Sequence, residues 1–213
     1  MMLLERRRLL INTKKSLLPS EYQQVEYIEC TGRQYIDTEY LPTGQLRVDG
    51  IVNVPEPTTE LAVVGTSSQG WELGFTAVTS TRNRFFSYLV PSNFGSIAVV
   101  PESSIYNTML QFSAINDKNQ SFRSLSLNVD NAYIESTVIN ANYRLKLYLF
   151  NYRNVYYFTG KCYNIKIYDD DILMRDFIPC YRKSDNEIGM YDVINNVFYT
   201  NSGTGKFLKG GDI

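Results

Sequence analysis

Consecutive carboxylates at Asp169, Asp170 and Asp171 could hold a hard cation, because calcium takes oxygen ligands. The run Gly203-Thr-Gly-Lys206 could cradle a phosphate on backbone amides, with the lysine as counter-charge. Trp71 and two polar triplets, Arg82, Asn83, Arg84 and Tyr152, Arg153, Asn154, combine aromatic faces with hydrogen-bonding groups, the chemistry that holds a sugar ring. The first two weaken on closer reading. Calcium needs about six to eight oxygens, generally from several loops, and three aspartates between apolar alternations read better as a hairpin turn. The phosphate-loop pattern needs a glycine five positions before its Gly-Lys pair, where Thr200 stands, and a hydroxyl residue after the lysine, where Phe207 stands. A glycine turn before a last strand accounts for that run better. No metal and no cofactor are expected.

The sugar-binding residues have competing readings of their own. Trp71 is in period with Leu73 and Phe75, which favours core packing, and each polar triplet reads as a loop tip that could be a plain solvated turn. Histidine is absent, which removes the commonest general base and metal ligand. The cysteines Cys30, Cys162 and Cys180 show neither a CxxC pair nor metal-ligand spacing, and an odd count suits buried free thiols of a protein made in a reducing cytoplasm.

The elements that must position these residues are strands. Leu46, Val48, Gly50, Val52 and Val54 alternate with Arg47, Asp49, Ile51 and Asn53, the period of a strand with one buried face. Pro55-Glu-Pro57 ends it. The same period recurs through Trp71 to Phe75, Leu110 to Ala114, Leu125 to Val129, Leu145 to Leu149 and Tyr163 to Ile167, while Phe85 to Val90 and Ile172 to Pro179 read as further strands. Asn116 to Gln120 reads as a hairpin loop, and Asn195-Asn196 as a two-residue type I′ turn between the final strands. About a dozen short strands, no amphipathic helix and no repeat period predict an all-β fold, a jelly-roll β-sandwich.

The chain of 213 residues suits one domain with an appendage, here an arm over residues 1–18 and a sandwich over 19–213. Arg6, Arg7, Arg8, Lys14 and Lys15 face a single acid in the arm, Glu5, so it is expected to dock onto a neighbouring subunit or larger assembly. The competing reading is a frayed terminus. A net charge of −1 disfavours nucleic-acid binding. No apolar run reaches the roughly 18 residues that span a bilayer, so no membrane insertion is expected. The charges at the N-terminus are in the wrong order for a signal peptide, which favours exit by assembly or lysis.

Two blocks carry a family resemblance. The first is Leu18-Pro-Ser-Glu-Tyr-Gln-Gln-Val-Glu-Tyr-Ile-Glu-Cys-Thr-Gly-Arg-Gln-Tyr-Ile-Asp37. The second runs from Lys166-Ile-Tyr through Arg175-Asp-Phe-Ile-Pro and Gly189-Met-Tyr-Asp to Phe198-Tyr-Thr-Asn-Ser-Gly-Thr-Gly. Together they resemble the opening and closing blocks of tailed-phage and prophage structural proteins. Cys30 and Arg33 stand where Ser and Thr are usual in that opening. The resemblance implies a concanavalin A-like (laminin-G-like) jelly roll of the lectin/glucanase type on a virion, made in the bacterial host cytoplasm. Such a protein serves as a head-fibre, decoration or tail receptor-binding protein, with other virion proteins and host glycans as partners and a homo-oligomer, a trimer for a fibre, as its assembly. A purely architectural capsid or tail protein is the alternative, and a bacterial surface lectin-like protein a further one.

Glycosidases of this jelly roll use a Glu-x-Asp-x-x-Glu spacing of carboxylates. Glu26 and Glu29 lie in the opening block, but the position three beyond Glu29 is Gly32, so no enzyme is expected. A binding site is expected in the middle loops, between about Thr66 and Asn154.

Overall fold

The computed structural model describes residues 17–56, 59–68, 70–79, 82–89, 96–99, 106–117, 122–127, 136–137 and 145–213. The basic arm residues Arg6, Arg7, Arg8, Lys14 and Lys15 lie outside them. The described residues contain strands and turns and no helix.

In chain order the strands are β1 Tyr22–Gln24, β2 Ile28–Thr31, β3 Ile36–Asp37, β4 Leu46–Asn53, β5 Leu61–Thr66, β6 Trp71–Thr79 and β7 Arg82–Leu89. Next come β8 Ser96–Val99, β9 Met109–Asp117, β10 Phe122–Leu127, β11 Ser136–Thr137 and β12 Leu147–Leu149. The chain closes with β13 Asn151–Tyr152, β14 Tyr156–Tyr157, β15 Thr159–Asp169, β16 Ile172–Arg182, β17 Glu187–Asp192, β18 Val197–Tyr199 and β19 Leu208–Lys209.

They form an 11-stranded sheet, whose main path runs β11-β10-β9-β4-β15-β16-β17-β18, and a six-stranded sheet in the order β3-β12-β5-β6-β7-β8. The chain crosses repeatedly between the two. Alternation decides the facing. Leu46, Val48, Gly50 and Val52 of β4 are buried, while Arg47, Asp49, Ile51 and Asn53 are half-buried on the other face. The core collects Val48, Ile165, Ile167 and Phe177 from the large sheet and Val64, Leu73, Phe85 and Leu149 from the small one. The Phe85 and Phe112 rings join the sheets at 5.4 Å, and Gly50 makes room, since a Cβ there would lie 2.7 Å from the Phe112 ring. Burying each such ring is worth roughly 1.5–3 kcal/mol. The architecture is the expected all-β jelly-roll sandwich.

The first described strands lie beside the last ones in the large sheet. β1 pairs with β16, β2 pairs with both β15 and β19, and Val25 bridges Asp212. The two blocks that carry the resemblance meet where β1 pairs with β16 and where the Ser202 and Thr204 amides donate to the Tyr35 and Arg33 carbonyls. Leu18, placed in the arm by the sequence, is buried with Cys180 and Tyr191 in a small second cluster, so the fold takes it in.

Two local expectations are corrected. Arg82, Asn83 and Arg84 open β7, paired with Thr79, Ala77 and Thr76, instead of forming a loop tip. The turn at Asn195-Asn196 is the end of a four-residue loop over 193–196, closed by the Asp192–Val197 pair, and only Asn196 of the two has a positive φ, 57°. A buried neighbour explains the longer loop: the Asp192 carboxylate accepts hydrogen bonds from the Ile194 amide and Asn195 Nδ2 within the turn and from the Asp176 amide of β16, which ties the turn to that strand.

Candidate ligand-binding site

The start of β15 is flanked on both sides. Lys161 pairs with Glu29 of β2 and with Asn53 of β4, and Thr159 pairs with Thr31. The alternate residues Ile28, Cys30, Val52 and Cys162 fill the core, which leaves Glu29, Thr31, Asn53 and Lys161 on the outer face. Glu29, Lys161 and Asn53 are direct cross-strand neighbours, so they form one transverse row. Beyond Asn53 the strand ends at Pro55, and the Asn107 amide donates to the Val54 carbonyl at 2.7 Å, bringing the turn before β9 against it. Asn107 holds a positive φ of 60°, a conformation asparagine tolerates.

These residues line an open cleft of about 420 Å³, with Gly160 and Pro55 in its wall. Gly160 has a φ of +130°, and a Cβ there would lie 2.4 Å from the Asn53 carbonyl oxygen, so only glycine fits. The side chains of Glu29, Asn53, Asn107 and Thr159 make no hydrogen bond among the described residues, while the Thr31 hydroxyl accepts one from Gln34 Nε2. Lys161 Nζ stands 4.4 Å from the Tyr27 ring centroid, and Tyr163 meets Tyr27 edge-on at 5.6 Å. Hydrogen bonding to Tyr27, with its electrostatic influence, holds the Lys161 ammonium above its usual pKa and keeps it charged. The cleft offers donors, acceptors and an adjoining aromatic pair, which suits reversible recognition.

A second polar cluster lies on the small sheet, in the paired row Asp37, Tyr148, Gly65, Glu72 and Tyr88. The hairpin β13–β14 covers the centre of this row, because Gly65 has no side chain and Tyr152 Cβ lies 2.7 Å from where its Cβ would be. Glu72 is 0% exposed, and among the described residues neither its carboxylate oxygens nor the buried Tyr152 phenol has a partner at full hydrogen-bond geometry, although Glu60 stands beside Glu72 and Arg153 beside Tyr152. Burial, and then the neighbouring Glu60 carboxylate, push the Glu72 carboxyl up to about 9, so it carries a proton at neutral pH. Sealed under the hairpin, it has no open approach for a ligand. The sequence alternation placed Glu72 on the strand face opposite Leu73 without showing that residues 151–157 cover it.

The sequence-predicted residues do not converge on one site. Trp71 opens β6, opposite Leu89. Tyr152 is only 2% exposed, with Arg153 at 5.6 Å over its ring, while Arg153 and Asn154 stand at the exposed hairpin tip with φ of 57° each. Arg84 lies four residues along from the Glu72 row, roughly 13 Å at about 3.3 Å per residue. Of the described cleft residues only Asn107 comes from the middle loops. Isolated Asn, Thr and Glu at strand ends leave no sequence signal, because register alone brings them together.

The glycine run is a clasp. Ser202 and Thr204 amides donate to the carbonyls of Tyr35 and Arg33, and the Gly203 amide donates to Asn201 Oδ1. The aspartate run is a hairpin turn with positive φ at Asp170 and Asp171, and its carboxylates diverge. Asp169 accepts from Tyr40, Thr43 and Gly44, Asp170 from the Gln45 amide, and Asp171 pairs with Arg47.

Sheet order and cleft together define an antiparallel jelly-roll sandwich with an open recess on its larger sheet. No protein-family model matches the chain, and no curated protein matches it. Among solved structures it is similar to a proposed carbohydrate-binding protein from Bacteroides ovatus, with a TM-score of 0.60 and 11% identity over 89% of this chain. The match spans 62% of that protein's length. It is also similar to a native heptameric SAP-like pentraxin from Limulus polyphemus, with a TM-score of 0.58 and 9% identity over 88% of this chain and 95% of the pentraxin. At these identities the likeness is one of fold.

Proposed function

We propose that this chain is a non-enzymatic, lectin-like binding domain for host-surface glycans, displayed on a tailed-phage particle as a head-fibre, decoration or tail receptor-binding protein. The observation that carries the binding part is the cleft, where the side chains of Glu29, Asn53, Asn107 and Thr159, with no hydrogen bond among the described residues, border a space of about 420 Å³. The fold shared with a proposed carbohydrate-binding protein supports the same reading. The phage setting rests on the resemblance of the opening and closing blocks. Assembly as a homo-oligomer, with the basic arm meeting other virion proteins, belongs to this reading and is measured by light scattering with and without residues 1–16.

A glycan array probed with the purified chain tests the binding part, with selective retention of a glycan subset expected and unchanged glycans recovered afterwards. Silence across the array, with the chain still incorporated into purified particles, would reduce the role to architecture. Absence of the chain from particles would remove the virion setting.

A further inference from the structure

We infer that the cleft between β2, β4 and β15 is the glycan site and that it selects an uncharged saccharide; this rests on the glycan-binding reading above. The charges lining it cancel. Glu29 and Lys161 are direct cross-strand partners, so a sugar carboxylate that meets Lys161 also meets Glu29, and a sugar amine is opposed by Lys161 in the same way. The other polar groups are neutral and two-sided. Each Asn53 and Asn107 amide offers a carbonyl acceptor and an NH₂ donor, and the Thr159 hydroxyl offers both roles. That set matches sugar hydroxyls, which also donate and accept.

The site is pre-shaped. Asn53 and Lys161 sit on paired strands, and Asn107 is pinned by its amide to Val54 at 2.7 Å. Gly160 keeps the wall clear, since its φ of +130° and its contact with the Asn53 carbonyl both exclude a side chain. The backbone under the site needs no ordering on binding, so the ordering cost is confined to the side chains that meet the sugar. The Tyr27–Tyr163 pair lies beside the row and offers a ring edge for a second sugar residue.

The test is amide-resolved NMR of the full chain titrated with lactose, maltose, mannobiose and N,N′-diacetylchitobiose, with 3′-sialyllactose and chitosan disaccharide as charged comparators. At least one neutral disaccharide is expected to shift the Asn53 and Asn107 side-chain NH₂ signals and the backbone amides of residues 159–161. Asn107→Gly, which keeps the positive φ, and Asn53→Ala are each expected to weaken that binding by about fivefold to tenfold, the worth of a neutral hydrogen bond. Arg153→Ala is expected to leave it unchanged. Shifts confined to β6–β7 or to residues 151–157 overturn the cleft assignment and leave glycan binding standing. A cleft that responds to the charged sugars alone overturns the neutral class. A cleft silent to all the neutral disaccharides overturns the inference, and the glycan array then decides separately whether the chain binds glycans at all. Should Asn53→Ala unfold, the shift map and Asn107→Gly still decide.

Discussion

The Tyr40 phenol donates a 2.6 Å hydrogen bond to the Asp169 carboxylate across 129 residues of sequence. Around it the Thr43 amide and hydroxyl and the Gly44 amide donate to the same group. Burial alone would raise this carboxyl's pKa, but these donors more than reverse it, so it lies below the ordinary value. A depressed folded-state pKa gives stability that is complete above the unfolded pKa and lost as pH falls through the folded one. Acid unfolding is therefore expected to lose this contribution below about pH 4. Asp169→Asn places an NH₂ among donors and is expected to cost on the order of 2–3 kcal/mol at neutral pH, with a shallower acid limb. Equal urea midpoints for the two proteins at pH 7 would dismiss the role given to Asp169.

Gly203 is the tightest point of the clasp between the two ends of the chain. A Cβ there would lie 2.0 Å from the Arg33 carbonyl oxygen, which is backbone and cannot step aside. Gly203→Ala is expected to destabilise by about 2 kcal/mol or more, the scale of a forced backbone shift in a packed region. Because neighbouring amides already serve Tyr35, Arg33 and Asn201, inorganic phosphate is expected to leave the melting temperature unchanged. A phosphate-dependent rise that Gly203→Ala abolishes would restore the phosphate-cradle reading.

Glu72 makes the opposite prediction about pH from Asp169. Its carboxyl is raised from 4.5 to about 9, so the folded chain holds a proton that the unfolded chain releases. Stability from this group is fully present below pH 4.5 and is lost as pH rises toward 9, by at most about 1.4 kcal/mol per pH unit. Glu72→Gln removes the ionisation and is expected to flatten the decline between pH 5 and 8, read from urea midpoints. Parallel declines in wild type and variant would place the titration elsewhere.

The thiols are expected to be inert in the folded state. Burial pushes Cys180 up to about 12 and holds Cys30 and Cys162 well above the usual thiol range, so little thiolate exists at pH 8. An aromatic disulfide reagent is expected to react with the described cysteines only as fast as the chain unfolds. A fast phase in native buffer equal to one thiol per chain would contradict that placement.

Much of the scaffold was legible in the residues themselves. Alternation in Leu46 to Val54 states which side of β4 is buried, because a strand's side chains change face at every residue. Asp170, Asp171 and the Gly203 to Gly205 run mark turns, because those residue types tolerate backbone angles that others resist. Such signals are local, and the all-β sandwich follows from them. What only the tertiary structure decided is which strands lie beside which. Register sets Glu29, Lys161 and Asn53 in one row, and the hairpin at residues 151–157 covers Glu72 because Gly65 leaves a notch for Tyr152. Both outcomes depend on pairings between segments far apart in the chain, and no short window of sequence carries the free energy that selects them.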